Sequence, residues 1–440
     1  MTAPPTFRSS VAKTVALQGL VYAAAIATNT TVGRVLGRDG LGLYALANNF
    51  VVLSALALGG GLQFASPYFV GQDPARLRAT FRATGWWVSL VTVLVGLLVL
   101  SGAHSALLGA LVDVRGWQAL LIIGVLPIFM VHQNAQMILL GLRRFLAYNL
   151  VPLAVVATTF LAVILLVVLG RRGTEGLLAA WALGNILGAV AACCAVLQPP
   201  RSSQSTDVRL RELLAVGARA LTANTLAMLV WRADLFLLKG LDDRSAVGLY
   251  VAAVSISEMS LKIPLQIGAV LFPYVAAERS EIARLLAGTT LRHTVAAVTT
   301  ICLALGVLGK PLLLLLYGGA YEAGYLVLLA LLPGMVMWSA QVILNNYFAG
   351  RGYPRVTYLS PLAALAVDVA LNFLLVPRWS ALGTAVAASV SYAVWAVCLL
   401  VVFLRETRLT ARGVLVLNRS DVSTALNQLY ERLRRLQAAR

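Results

Sequence analysis

Long apolar runs alternate with short connections rich in Arg and Gly from one end of the chain to the other. A membrane-spanning α-helix takes about 20 largely apolar residues. The pattern predicts twelve such helices, near 11–33, 41–70, 83–103, 117–141, 146–169, 175–197, 212–239, 245–276, 289–309, 321–349, 354–376 and 381–404. An even number of spans places both termini on one side. The N-terminal segment and the connections on its side carry fifteen Lys and Arg, and the tail adds eight, against nine in the opposite connections. Cytoplasmic loops collect basic residues, so both termini are expected in the cytoplasm.

Composition agrees with that reading. Of 440 residues, 60% are hydrophobic and 12% charged, and the mean hydropathy is +0.85. A soluble domain has about 25% charged residues. The net charge of +18 raises nucleic acid as a partner. Most of the basic residues lie in short loops beside apolar spans, however, where an anionic membrane surface explains them. Cys193, Cys194, Cys302 and Cys398 all fall within apolar runs and have no metal-ligand spacing. Arg8, Lys13 and the small residues Ala25–Ala27 imitate a secretory signal. The internal repeat argues that this segment stays as the first span.

That repeat is visible by register. Gly42–Leu43–Tyr44 maps onto Gly248–Leu249–Tyr250 at an offset of 206, as do Pro67–Tyr68 onto Pro273–Tyr274 and Pro127 onto Pro333. At an offset of 209, Gly141 maps onto Gly350 and Pro152–Leu153–Ala154 onto Pro361–Leu362–Ala363. Two six-helix lobes are therefore expected, 1–197 and 212–404, related by an axis along the membrane normal. Between them, residues 198–211 carry Pro199–Pro200 and a Ser-rich run and read as a flexible cytoplasmic linker. Beyond 405, Val422, Leu426, Leu429, Leu433 and Leu436 recur at helical spacing, with Arg432, Arg434 and Arg435 largely elsewhere around the helix. The tail reads either as an amphipathic helix on the inner leaflet or as a solvated helix packed on cytoplasmic loops.

Catalytic chemistry finds no support. "GVLGKP" (306–311) follows its Lys with Pro and precedes an apolar run, so it is no nucleotide loop. His104, His132 and His293 are scattered, and no carboxylate pair sits in a large loop. No cofactor is implied. Two six-helix lobes without ATP machinery suggest a secondary transporter.

The stretches "GRVLGRDGLGLYALANNF" (33–50), "WRADLFLLKGLDDRSAVGLY" (231–250) and "LFPYVAAERS" (271–280) resemble the bacterial polysaccharide transporter, or oligosaccharide flippase, family of the multidrug/oligosaccharidyl-lipid/polysaccharide (MOP) superfamily. The resemblance covers nearly all the spans but not the tail. It implies an all-α protein with a V-shaped pair of lobes in the bacterial plasma membrane. It also implies export of a lipid-linked oligosaccharide by alternating access, with polysaccharide polymerase or glycosyltransferase partners.

Five charges lie deep within spans: Arg232, Asp234, Glu258, Lys262 and Asp368. Ionisable residues at such depth are costly and mark functional sites. Their repeat counterparts are Ile26, Thr28, Val52, Leu56 and Thr159, so the architecture itself does not demand them. Arg232 and Asp234 are two apart and must look to different neighbours, whereas Glu258 and Lys262 are four apart and can pair on one helix face. Pro264 should kink the eighth helix. A polyprenyl-diphosphate sugar carries an anionic head that cations in a hydrated cavity could hold. Arg232, Lys262 and Arg34 are the candidate cations. Gln63, Gln266, Asn224, Asn345 and Asn346 are candidates for sugar hydroxyls. Asp234, Glu258 and Asp368 could bind a coupling Na⁺ or H⁺, or hold the cations in place. The competing reading is interhelical ion pairing that locks the second lobe.

Other classes fit less well. A multidrug or toxin exporter of the same superfamily would want a cavity dominated by carboxylates, and the charges here are balanced. A major-facilitator carrier would want a Gly-x-x-x-Asp-Arg-x-Gly-Arg pattern in "VGQDPARLRAT" (70–80), which is missing. A non-transporting scaffold for a synthase leaves the asymmetric charges unexplained.

Overall fold

A computed structural model describes residues 7–197, 208–277 and 280–416. Most of the expected linker (198–207) and of the amphipathic tail (417–440) lies outside the described residues. The described chain is built from helices: α1 Phe7–Leu58, α2 Leu62–Gln72, α3 Leu77–Leu100, α4 Ala103–Leu111, α5 Gly116–Gly141, α6 Phe145–Val163, α7 Gly173–Leu197, α8 Leu210–Leu241, α9 Arg244–Ser257, α10 Lys262–Ala277, α11 Ser280–Tyr317, α12 Gly324–Gly350, α13 Val356–Thr407 and α14 Ala411–Leu415. A π-helical turn, Ile164–Leu169, extends α6.

Ten stretches among the described residues are long and apolar enough to cross a membrane. Two of them are double. Helix α1 breaks at Gly37 (φ 69°, ψ −167°) and α13 breaks at Ser380 (φ 52°, ψ −132°). Each break divides a double-length helix into two spans, so the described residues hold the twelve spans expected. The second span is the latter half of α1 plus α2, joined through Gly59–Gly60–Gly61. The eighth is α9 plus α10, joined by the 3₁₀ turn Glu258–Leu261. Pro264 falls in the first turn of α10, where its missing N–H costs little. The kink expected there is thus the junction just before it.

The backbone repeats as the sequence does. The break at Gly37 lies 206 before Asp243, in the gap between α8 and α9. Arg143 (φ 56°) and Gly352 (φ 91°) lie 209 apart, as do Arg171 (φ 51°) and Ser380 (φ 52°). One close approach is duplicated too. A Cβ on Gly141 would stand 2.7 Å from Pro67 O, and one on Gly350 would stand 3.0 Å from Phe272 O. Both copies need glycine there because a helix crosses the Pro-bearing span at backbone distance.

The chain forms two compact units. One holds residues 1–253, 313–324 and 372–384, and the other holds 254–312, 325–371 and 385–440. The boundary thus falls inside α9, and the seventh span packs with the first six. In the first unit α7 lies against α5 and α6, and α8 against α1 and α2. The α8 contact is made by glycine, since a Cβ on Gly61 would meet Gly217 O at 2.3 Å. The glycine run at 59–61 therefore serves close packing. In the second unit, Trp338 meets Tyr392 edge-on (4.3 Å between centroids) and Tyr347 meets Phe403 (5.0 Å).

Candidate functional site

The candidate residues divide between the units. Arg34, Gln63, Asn224, Arg232 and Asp234 belong to the first, and Glu258, Lys262, Gln266, Asn345 and Asp368 to the second.

In the second unit, α10 is exposed over much of its surface, Ile263, Leu265 and Phe272 included. Lys262, Gln266, Val270 and Tyr274 recur every fourth residue, and all four are exposed. Gln266, Val270 and Tyr274 line a groove of about 410 Å³ against Leu286 and Thr290 of α11. Lys262 sits one turn above Gln266, about 6 Å along the axis. The groove is lined without a carboxylate. Glu258 is half-buried and opens the 3₁₀ turn that leads to Lys262. Asn345 is half-buried on α12. Its neighbour Asn346 turns its amide to Val342 O (2.8 Å), close against Gly268 of α10. Asp368 is fully buried in the first half of α13.

In the first unit, Arg232 and Asp234 do look to different neighbours. The Arg232 guanidinium lies 4.3 Å from the centre of the Trp231 ring. Asp234, 2% exposed, accepts a short hydrogen bond from the Tyr250 hydroxyl on α9 and a 2.8 Å bond from Leu235 N–H. The repeat explains the pairing. Tyr250 corresponds to Tyr44 and Asp234 to Thr28, and Thr28 turns its hydroxyl to Ala24 O (2.9 Å) instead. Tyr250 thus ties the deep carboxylate in place. Gln63 is buried in α2. Asn224 is exposed on α8, with its amide on Ala220 O (2.8 Å).

Arg34 belongs to a different construction. At the Gly37 end of the first unit it donates to Leu316 O (2.8 Å) and Leu315 O, the last carbonyls of α11. A helix C-terminus leaves such carbonyls without intrahelical partners, and a cation is favoured there. Arg38 likewise donates to Ala320 O and lies over the Tyr321 ring. Tyr321 is fully buried and donates to Gly33 O (3.3 Å). Burial pushes its phenol well above the ordinary range. Arg244, 206 residues after Arg38, grips Asp39 with two nitrogens, one at 2.6 Å, and donates to Asp113 O (3.2 Å). Beneath these contacts the two copies cross reciprocally. A Cβ on Gly42 would stand 2.1 Å from Arg244 O, and one on Gly248 would stand 1.9 Å from Arg38 O. Residues 33–42, 244–248 and 315–321 thereby close this end of the unit. Sequence reading placed Arg34 among the cavity cations and missed Arg38, Asp39 and Arg244 altogether. The equal offset of the two Arg–Gly pairs was the signal that could have found them.

The chain is thus a polytopic α-helical membrane protein made by duplicating a six-span unit, with few charges at depth. Known structures share this fold. A lipid II flippase, MurJ, in an inward closed conformation matches over 90% of this chain and 90% of its own, at 12% identity and a TM-score of 0.72. A multidrug resistance MATE family transporter of the MOP superfamily, inward-facing, matches over 88% and 94%, at 14% identity and a TM-score of 0.72. A MOP superfamily transporter from Pyrococcus furiosus matches over 91% and 94%, at 15% identity and a TM-score of 0.64. No curated protein matches the chain. Residues 8–278 match the profile of the family described as polysaccharide biosynthesis protein. The chain belongs to that family and has the fold of the MOP superfamily.

Proposed function

We propose that this protein is a flippase that moves a lipid-linked oligosaccharide, of the polyprenyl-diphosphate type, across the bacterial plasma membrane for surface polysaccharide synthesis. Membership of the polysaccharide biosynthesis family sets the class. The observation that carries the cargo assignment is the exposed α10 face. Lys262 and Gln266 stand one turn apart on it, above a groove lined without a carboxylate. A cation and an amide so placed suit a diphosphate and a sugar hydroxyl. They do not suit the cationic cargo of a drug exporter. Arg232, beside Trp231 in the first unit, is a separate candidate cation. Glu258, Asp368 and Asp234 are the carboxylates available to a coupling Na⁺ or H⁺. Asp234 is held by the Tyr250 hydroxyl.

The test is genetic and then biochemical. In a deletion strain, Lys262→Gln is expected to abolish surface polysaccharide at a normal membrane level of protein, while Lys262→Arg restores it. In vesicles, the purified protein is expected to expose a polyprenyl-diphosphate sugar to a lectin on the far side, and Lys262→Gln is expected not to. Full complementation by Lys262→Gln overturns the cargo assignment. Intact surface glycan in the deletion strain, with altered drug susceptibility, moves the protein to the exporter class.

A further inference from the structure

The second unit carries another groove, away from α10. It runs between the two halves of α13, with Val356, Leu359 and Ala363 on one wall and Val397 and Val401 on the other, and encloses about 620 Å³. The first wall rises about 10 Å, two helical turns. Its lining is apolar apart from Ser360 and Cys398. Ser360 turns its hydroxyl to Val356 O at 2.6 Å, so it satisfies itself and leaves the wall greasy. The groove is apolar and its wall is two turns tall, which suits a hydrocarbon chain.

Charge marks one end only. Arg355 adjoins Pro354 and Val356, where the first half of α13 begins, and it is exposed. Arg405 lies four residues beyond Val401, on the same helical face, and is exposed as well. The two arginines therefore stand at the same mouth. Glu406, the next residue, is exposed as well and points about 100° around the helix from Arg405. At the opposite end the groove runs on into apolar helix surface. A ligand with one anionic end and one hydrocarbon chain fits this polarity, because its phosphate finds charge-assisted partners where its chain enters the groove.

We propose that this groove binds a phosphate-bearing isoprenoid lipid, with the phosphate between Arg355 and Arg405 and the adjoining chain along Val356–Ala363 and Val397–Val401. The proposal rests on the reading of the cargo as lipid-linked and names where its tail is held. It places on α13 a station for the lipid separate from the α10 face of the same unit, occupied by the phosphate at a different stage of passage.

The experiment uses full-length protein in phosphatidylcholine nanodiscs. The probe is a polyprenyl monophosphate carrying a diazirine near its phosphate, and cross-linked peptides are mapped by mass spectrometry. Label is expected in residues 354–363 and 397–405. Arg355→Gln with Arg405→Gln is expected to reduce labelling about tenfold, equivalent to about 1.4 kcal/mol, and to leave labelling by the uncharged polyprenol unchanged. Ala363→Trp is expected to block both probes, and Val401→Phe, a milder filling of the opposite wall, guards against misfolding of the first. Label elsewhere, or unchanged labelling in the double arginine variant, overturns the proposal. Equal competition by phosphatidylglycerol overturns it too, because the groove would then be a general site for anionic lipid. Labelling is read without flux, so the two readings fail separately. A protein that labels here and flips nothing loses the flippase reading and keeps the groove. One that flips and labels elsewhere loses the groove alone.

Discussion

The reciprocal crossing at Gly42 and Gly248 makes a quantitative prediction. Alanine at 248 places a methyl 1.9 Å from Arg38 O, and alanine at 42 places one 2.1 Å from Arg244 O. Ordinary contact is about 3.4 Å, so each helix must retreat by about 1.4 Å. Both obstacles are backbone, which cannot rotate away. Overpacking of this kind costs about 1–3 kcal/mol, here at the upper end. Alanine returns about 1 kcal/mol of helix propensity over glycine. Each single variant is therefore expected to lose about 2 kcal/mol. The double variant is expected to lose less than the sum, because the gap opened by one methyl admits the other. Reversible unfolding in mixed micelles, followed by circular dichroism, reads the values. Gly124→Ala is the control, since a Cβ there meets nothing within 4 Å, and it is expected to be neutral or slightly stabilising. If Gly42→Ala behaves like Gly124→Ala, the crossing is looser than drawn. If the two losses add to within about 0.5 kcal/mol, the two contacts are independent and the single shared crossing is wrong.

Other perturbations test the same region and the deep carboxylate. Tyr250→Phe strips Asp234 of its hydroxyl donor and is expected to cost about 2 kcal/mol, the range for a hydrogen bond to a charged group. Tyr44→Phe, its repeat counterpart, is expected to cost little, and equal losses for the two would refute the pairing. Arg34→Gln is expected to speed hydrogen exchange in residues 313–321, where Arg34 holds the Leu315 and Leu316 carbonyls, and unchanged exchange would show that the cap carries no weight. Burial raises the Tyr321 pKa, so folding favours the neutral phenol. Its stabilising contribution is then present below the unfolded phenol value of about 10 and lost as pH rises above it. Melting temperatures are expected to fall more steeply above pH 10 in the parent than in Tyr321→Phe, and parallel curves would contradict the burial argument.

The spans were legible because crossing a bilayer demands length and apolarity, and little else in a sequence imitates twelve such runs. The duplication was legible because register held over more than a hundred residues, and the backbone breaks at Gly37 and Asp243, and at Arg171 and Ser380, repeat it. The closure of the Gly37 end was not legible. Arg34 and Arg38 bind carbonyls some 282 residues away, and no side chain announces which carbonyls a helix end leaves open. The short helix α4 and the π turn after α6 were missed for a related reason. They sit within or beside apolar runs and change direction, not composition.

What the two copies do differently then narrows the site further than either copy alone. Lys262 and Gln266 correspond to Leu56 and Gly60. In the first copy Leu56 is buried and a Cβ on Gly60 would meet Leu214 of α8 at 2.8 Å, so that face is spent on packing. In the second copy the same face is exposed and carries a cation and an amide. A packing role would have kept the small and apolar residues, and a lipid-facing role would not have placed an ammonium there, since charge in the hydrocarbon layer is costly. Under the proposed flippase reading, an exposed cation and amide on this face suit contact with a hydrated, anionic cargo. Replacing Lys262 and Gln266 together by their counterparts, Leu and Gly, therefore tests more than a single charge. Restoring the packing face in the second copy is expected to leave folding intact, as unfolding in mixed micelles would show, and to stop surface polysaccharide synthesis. Unimpaired synthesis by a well-folded double variant would remove the α10 face from the function.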